Sequence, residues 1–193
     1  MIEVEVKVSV KCIKAIEEKL QKSGFIKAKC VKESDVYFDN SRNEIKNNDQ
    51  ALRIRSCKDL DEDVETCFMT FKGPKMDAIS MTRKELEMQV ECAEVGKEIL
   101  VSLGYTQIYP VIKHRQYYHK NAMTACLDQV EGLGDFLEFE IFVNREDEKL
   151  EALNRLMDML KEQGYGPEDI IRESYLSMLQ AKRRDDIRIK VIE

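Results

Sequence analysis

The sequence predicts an α+β fold in one domain, with about eight mostly antiparallel strands and helices set among them. Three observations carry this reading. Val4, Val6, Val8 and Val10 alternate with Glu3, Glu5, Lys7 and Ser9, the period of two expected of a strand with one apolar face. Over residues 11–23 the spacing becomes helical, with Cys12, Ile13, Ile16 and Leu20 on one side and Gly24 placed as a stop. Later segments repeat the change from helix to strand, and no linker rich in Gly, Ser or Pro divides the chain.

The elements follow in order. After the first helix, strands are expected over 34–39, 51–57, 65–72 and 80–90. Asn40 to Gln50, rich in Asn and charge, reads as a loop, and the acidic run Lys58 to Asp63 as a hairpin connection. A second helix over 93–103 stops at Gly104. Strands over 108–119, 122–130 and 135–143 precede a third helix, 147–163, which stops at Gly164. A fourth begins near Pro167, a residue suited to the first helical turn, and carries Ile170, Ile171, Tyr175 and Leu179. Lys22-Ser23-Gly24-Phe25 and Ser102-Leu103-Gly104-Tyr105 both end a helix on Gly-aromatic and lead into a strand, which hints at a duplicated unit. The tail Lys182-Arg183-Arg184-Asp185-Asp186 is all charge, so it extends a surface helix or frays. The division expected is a principal domain over 1–180 and a charged C-terminal extension over 181–193.

Composition excludes several classes. The chain has 193 residues, 43% hydrophobic and 35% charged, with 31 Lys+Arg against 37 Asp+Glu for a net charge of −6. That length buries about 70% of the unfolded surface, enough to fold without disulfide or metal. No apolar run reaches the roughly 18–20 residues needed to span a bilayer, and Met1-Ile2-Glu3-Val4-Glu5 lacks the features of a signal peptide. A net negative chain is a poor non-specific partner for nucleic acid. Neither membrane nor nucleic acid is therefore expected as a partner. Cys12, Cys30, Cys57, Cys67, Cys92 and Cys126 show no C-x-x-C spacing, which suits reduced thiols in the cytoplasm. His114 and His119 are next to no cysteine, so no zinc site is expected.

The strand faces carry the chemistry. Alternation places Glu3, Glu5 and Lys7 on one face, and likewise Arg53 with Arg55, Thr70 with Lys72, and Arg83 with Glu85 and Glu87. Lys113, Arg115 and Tyr117 share a face, as do Thr124, Cys126 and Asp128, and Glu138 and Glu140. The opposite faces are often apolar, as at Val4 and Val6, Leu52 and Ile54, or Leu137, Phe139 and Ile141. By the same rule His114 points away from the charged face, while Tyr117 and Tyr118 divide between site and core. One reading is an open twisted sheet whose wet face carries solvated, cross-paired charges. The other is a sheet curled so that the charged face is concave. Like charges in such a hollow repel by roughly 3 kcal/mol per pair at about 5 Å and an effective dielectric near 20. Ligands of opposite sign would relieve this: a polyanion for the bases and a hard divalent cation, Mg²⁺ or Mn²⁺, for the acids. A metal-chelating triphosphate supplies both. An apolar outer face could be covered by helices or by a second copy in a homodimer.

Glu3-Val4-Glu5-Val6-Lys7 resembles the N-terminal ExExK signature of the CYTH superfamily, the triphosphate tunnel metalloenzymes. The resemblance continues in family order through Asp35-Val36-Tyr37-Phe38, Ala51-Leu52-Arg53-Ile54-Arg55, Thr70-Phe71-Lys72-Gly73-Pro74 and Arg83-Lys84-Glu85-Leu86-Glu87. It extends to Lys113-His114-Arg115, Asp128, Gly132 to Glu140 and Glu173-Ser174-Tyr175, covering about residues 1–180. It implies an eight-stranded antiparallel tunnel, or β-barrel, flanked by helices with its charges turned inward. It further implies that Lys7, Arg53, Arg55, Lys72, Lys113 and Arg115 hold phosphates, and that Glu3, Glu5, Glu138 and Glu140 hold Mg²⁺ or Mn²⁺. Arg83 pairs with acids or touches phosphate, Glu85 and Glu87 support the network, and Asp128 joins Glu5, Lys113 and Arg115 among the catalytic candidates. The stretch from Asp128 to Phe136 is most similar to the class IV adenylyl cyclases. A Trp associated with thiazolium recognition in the family's thiamine triphosphatases has no counterpart, since Trp is 0. The activity implied is conversion of ATP to 3′,5′-cyclic AMP and pyrophosphate; the alternative is hydrolysis of an inorganic or organic triphosphate in the same tunnel.

Overall fold

A computed structural model describes the backbone of residues 1–192 and side chains as far as Arg184. Eight strands form a closed antiparallel barrel: β1 (Ile2–Ser9), β2 (Ile26–Asp39), β3 (Ala51–Asp59), β4 (Glu65–Lys75), β5 (Arg83–Val90), β6 (Thr106–Lys120), β7 (Met123–Val130) and β8 (Gly134–Val143). Their order around the barrel is β1-β5-β4-β3-β2-β6-β7-β8. Exchanging β1 with β5, β2 with β6, β3 with β7 and β4 with β8 leaves that order unchanged, so the barrel is two strand-helix-meander halves. Five helices flank it: α1 (Ile13–Lys22), α2 (Glu44–Asn47), α3 (Ala93–Ser102), α4 (Lys149–Glu162) and α5 (Tyr175–Ile192). None of the described helices is long and apolar enough to cross a membrane.

The expected duplication has a local counterpart in how helices stop. The Phe25 N–H donates to the Leu20 carbonyl and Gly24 N–H to Gln21; Tyr105 and Gly104 repeat this on Leu100 and Val101. Tyr165 and Gly164 do the same after α4. This double bond pattern needs a left-handed residue, and Gly24, Gly104 and Gly164 sit at φ of +84°, +92° and +93°.

Closure sorts the strand faces. Val4, Val6 and Val8 point outward and pack with Leu137 and Phe139 beneath Ile16 and Leu20 of α1 and Leu156 and Leu160 of α4. Each fully buried side chain of this kind contributes roughly 1.5–3 kcal/mol. α3 covers Val36, Phe38 and Ile54 on the outside of β2 and β3. A third cluster, Val111, Val130, Phe136, Tyr175 and Leu179, lies where α5 meets β6, β7 and β8. Helices therefore supply much of the outer cover, although Leu86 and Met88 on β5 are 56% and 61% exposed.

Several expected boundaries move. β2 starts at Ile26 rather than 34, because its first half pairs with the far end of β6. The loop at 40–50 contains α2, organised by Asp39, whose carboxylate accepts from the backbone N–H groups of Asn40, Ile45 and Lys46 at 2.8–3.0 Å. β5 starts at Arg83 because Asp77, Ser80 and Thr82 form a side-chain-bonded turn before it. Pro167 begins only a short 3-10 turn, Pro167–Asp169, and the last helix starts at Tyr175. Ile171 cannot be helical because its N–H donates to the Lys7 carbonyl at 2.8 Å, on an edge of β1 that β5 leaves open. The charged tail is anchored rather than frayed at its start: Lys182 donates to the Gly132 carbonyl at 2.7 Å and Arg183 stacks on Tyr109. Asp185 and Asp186 lie outside the residues whose side chains are described, and Glu193 outside the described residues altogether.

Candidate active site

The interior is charged. Glu3, Glu5 and Lys7 on β1, Arg53 and Arg55 on β3, Glu85 on β5, Lys113 and Arg115 on β6, Asp128 on β7 and Glu138 and Glu140 on β8 are all buried. Alternation alone fits an open sheet as well; closure makes their common face concave. All of these except Glu85 and Asp128 line a cavity of about 250 Å³, which is also lined by the 45–52 segment, Lys75, Arg83 and the first turns of α5.

Two Arg-carboxylate forks brace the walls. Arg55 donates from Nε and Nη2 to the two oxygens of Asp35 at 2.6 and 2.7 Å, and also meets Glu33 at 3.0 Å. Arg115 donates from Nε and Nη2 to Asp128, both at 2.6 Å, and further contacts Glu138 and Glu140. Burial pushes the Asp35 carboxyl up, but Arg55 and Arg53 outweigh it and hold it at about 2. Burial likewise opposes ionisation of Glu138, yet Arg115, Lys113 and Lys7 hold it below the usual carboxylate range. Such buried pairs fix geometry at a desolvation cost.

A second group of acids is not balanced in this way. One oxygen each from Glu3, Glu5 and Glu140 lies within 4.8 Å of the others. Burial, then the charges of Glu138 and Glu3, push Glu5 up to about 8. Burial raises Glu140 to about 7 despite Arg115, with Glu3 and Glu138 adding to the rise. Lys72 bridges Glu3 and, at 3.5 Å, Glu85, and it keeps Glu3 ionised against burial. Three buried oxygen donors repelling one another are the donor set a hard divalent cation takes, so these residues fit Mg²⁺ or Mn²⁺. On the opposite side of the charge balance, Arg53 lines the cavity and its Nε is buried with no hydrogen-bond partner.

The structure brings nearly all the expected residues together. Glu87 is the exception: it shares the parity of Glu85 but lies farther along β5, exposed, where it accepts from Thr70 Oγ1 at 2.8 Å. Arg83 reaches the cavity but donates to the Asp49 and Gly73 carbonyls and to the Asp49 carboxylate. Asp128 is fully buried behind the lining, held by Arg115, by Lys113 at 3.4 Å and by Tyr175 Oη at 3.0 Å. Tyr117 faces the interior and donates to Glu33 at 2.9 Å, whereas Tyr118 is core. His114 faces outward as expected.

Sequence reasoning missed Glu33 and gave no role to Asp35 or Tyr175. Glu33 and Asp35 alternate with Tyr37 on one face of β2, a signal that a strand begun at 34 cuts in half. Tyr175 packs its ring 4.3 Å from Lys7 Nζ and 5.3 Å from Lys113 Nζ, a convergence no local pattern encodes.

A model of the CYTH domain matches residues 1–175. A Methanocaldococcus jannaschii protein, MJ0240, named as a candidate adenylate cyclase, is 40% identical over 178 residues, or 92% of this chain and 98% of that protein. The solved structure of PH1819 from Pyrococcus horikoshii superposes with a TM-score of 0.85 at 34% identity, covering 93% of this chain and 99% of that one. HpAC1 from Hippeastrum, described as a candidate adenylyl cyclase with a dominant triphosphatase activity, shares the fold at a TM-score of 0.65 and 19% identity, covering 93% and 96%.

Proposed function

The chain belongs to the CYTH family, and from that membership we propose that it is an adenylyl cyclase-like enzyme converting ATP to 3′,5′-cyclic AMP and pyrophosphate. The observation that carries the reading is the meeting of three clustered acids and a ring of bases, one of them the partly unsatisfied Arg53, in one buried cavity. The 40% identical relative named as a candidate adenylate cyclase supports the choice of reaction.

In this reading Lys7, Arg53, Arg55, Lys72, Arg83, Lys113 and Arg115 orient the triphosphate and stabilise charge gathering on the departing pyrophosphate. Arg53 lines the cavity with its Nε unpartnered, while Arg55 and Arg115, fixed by Asp35 and Asp128, supply a rigid positive wall. Glu3, Glu5 and Glu140, with Glu138 beside them, would hold Mg²⁺ or Mn²⁺. When bound, such an ion neutralises phosphate charge and lowers the pKa of a nearby hydroxyl. The ribose 3′-hydroxyl, held in line, gives up its proton to solvent water and forms the new bond to the α-phosphorus as the bond to pyrophosphate breaks. Glu85 supports Lys72, and Asp128 positions Arg115 and Lys113. Free thiols at all six cysteines agree with a cytoplasmic setting.

A second reading keeps the tunnel and replaces the hydroxyl by water, giving a triphosphatase. It is favoured by the fact that the charged walls need only a triphosphate and a metal. Incubation with Mg²⁺ or Mn²⁺ and either ATP or inorganic tripolyphosphate separates the two. Cyclic AMP without orthophosphate supports cyclisation; orthophosphate with no cyclic AMP overturns it.

A further inference from the structure

The Glu173-Ser174-Tyr175 motif has no part in the chemistry above, yet all three residues line the cavity. Tyr175 is the first residue of α5 and is 7% exposed. Ser174 Oγ accepts from the Ser177 N–H at 3.1 Å, which starts the helix at that point. Phe136 of β8 packs against the Tyr175 ring, 4.9 Å between centroids, and fixes its tilt. The Tyr175 hydroxyl donates to Asp128 at 3.0 Å. Burial, and then the charges of Asp128 and Glu138, push that hydroxyl well above the ordinary tyrosine range, so it remains a donor.

The surroundings of Lys7 show what the ring does. Among the described residues its one ion pair is with Glu138 at 3.9 Å, beyond hydrogen-bond distance. Its Nζ donates instead to the Glu173 carbonyl at 2.7 Å and lies 4.3 Å from the centre of the Tyr175 ring. The Lys7 carbonyl accepts from the Ile171 N–H at 2.8 Å, so both ends of this residue are tied to the segment before α5. Lys72, by contrast, is tied to the carboxylates of Glu3 and Glu85. A carboxylate holds an ammonium group by cancelling its charge; a carbonyl and a π face hold it and leave the charge in place. Lys113 reaches the same ring at 5.3 Å, and its carboxylate contacts, Glu33 at 3.2 Å and Asp128 at 3.4 Å, are shared with Arg55 and Arg115. Two ammonium groups that repel each other are thus brought to one ring.

We propose that Tyr175 is a positioning residue of the tunnel: its ring seats the ammonium groups of Lys7 and Lys113 toward the phosphates without neutralising them, and its hydroxyl steadies Asp128 behind Arg115. This rests on the triphosphate reading of the charged cavity. A lysine is a point charge on a flexible stem, and a fixed seat turns it into a preorganised phosphate contact. The phosphate site is therefore complete only when the start of α5 is docked.

The test uses two substitutions of different chemistry. Tyr175→Phe keeps the ring and removes the hydroxyl; Tyr175→Leu keeps apolar bulk and removes the ring. Tripolyphosphate binding is measured by titration calorimetry, with Ca²⁺ replacing Mg²⁺ to slow turnover, in each variant alone and combined with Lys7→Met. Tyr175→Leu should weaken binding roughly tenfold, the scale of partly desolvated cation–π contacts, and Tyr175→Phe by less than about threefold. With Lys7 already replaced, Tyr175→Leu should cost only about threefold, because one of the two cations on the ring is gone. In protein labelled with ¹³C-lysine, NMR should show the Lys7 ε-methylene signal moved upfield by the ring, a displacement kept in Tyr175→Phe and lost in Tyr175→Leu. Unchanged affinity in Tyr175→Leu, an equal loss in Tyr175→Phe, additive losses with Lys7→Met, or a Lys7 signal at the ordinary lysine position overturns the seat and leaves the triphosphate reading standing. The NMR comparison of wild type with Tyr175→Phe decides the matter even where Tyr175→Leu fails to fold. A wild type that binds neither tripolyphosphate nor ATP overturns both.

Discussion

Arg115 grips Asp128 through a planar fork, with Nε and Nη2 each 2.6 Å from a separate carboxylate oxygen. The barrel repeats this arrangement with its signs exchanged. Where β6 supplies the base and β7 the acid, the equivalent strands β2 and β3 supply the acid Asp35 and the base Arg55. The two halves share a topology, yet a base on one stands where the other has an acid. Duplication thus builds a tunnel that is braced by its own ion pairs, and the acids and donors left over are free to meet a ligand.

Asp128→Ala should destabilise the protein by about 3–5 kcal/mol, because Arg115 is left charged and buried without its main partner. Asp128→Asn, which keeps an acceptor, should cost less. Denaturant unfolding checks both; a change under about 1 kcal/mol for the alanine variant would show that the fork is dispensable.

Arg53→Ala should weaken binding of tripolyphosphate and flatten its salt dependence while leaving the fold intact. Arg55→Ala is the poorer probe, since it takes from Asp35 its bidentate partner and from Glu33 one of its cations, so a loss of stability would be mixed with any loss of binding. Calorimetry at two salt concentrations measures the first effect, and unchanged affinity in Arg53→Ala would remove that residue from the phosphate site.

In EDTA the protein should lose stability between about pH 5 and 8. Glu5, raised to about 8, and Glu140 and Glu85, each raised to about 7, stay protonated in the folded chain where the unfolded chain has released its protons. Their contribution is complete below the unfolded carboxylate pKa and disappears as pH rises through the folded values. Each unit of upward displacement corresponds to about 1.4 kcal/mol at most. Asp35, held at about 2, works oppositely and costs stability only as pH falls toward that value. Thermal melts across this range should show the decline in wild type and a shallower one in Glu5→Gln; a flat or rising profile contradicts the assignment.

Much of this was legible in the sequence, and the omissions share a cause. Alternation placed Glu3, Glu5, Lys7, Arg53, Arg55, Glu138 and Glu140 on common faces, because parity is a local property of a strand. Parity does not say how far along a strand a side chain lies, which is why Glu87 is exposed while Glu85 is buried beside Lys72. Nor does it survive a bulge: Ile108 faces inward only because β6 carries an extra residue at Tyr109-Pro110. Closure itself depends on pairing between β1 and β5, confined to Ile2 and Glu3. The seam beyond is finished by backbone bonds from Met81 to Glu5 and from Ile171 to Lys7. Those long-range bonds explain why a segment expected to begin a helix at Pro167 is held extended until Tyr175.

The most direct measurement is anomalous diffraction from crystals soaked in Mn²⁺ and tripolyphosphate. The account predicts a manganese peak among Glu3, Glu5 and Glu140, with phosphate density reaching toward Arg53, and loss of that peak in Glu5→Gln. Manganese or phosphate found only on the outer surface, or a peak undiminished in the variant, would contradict it.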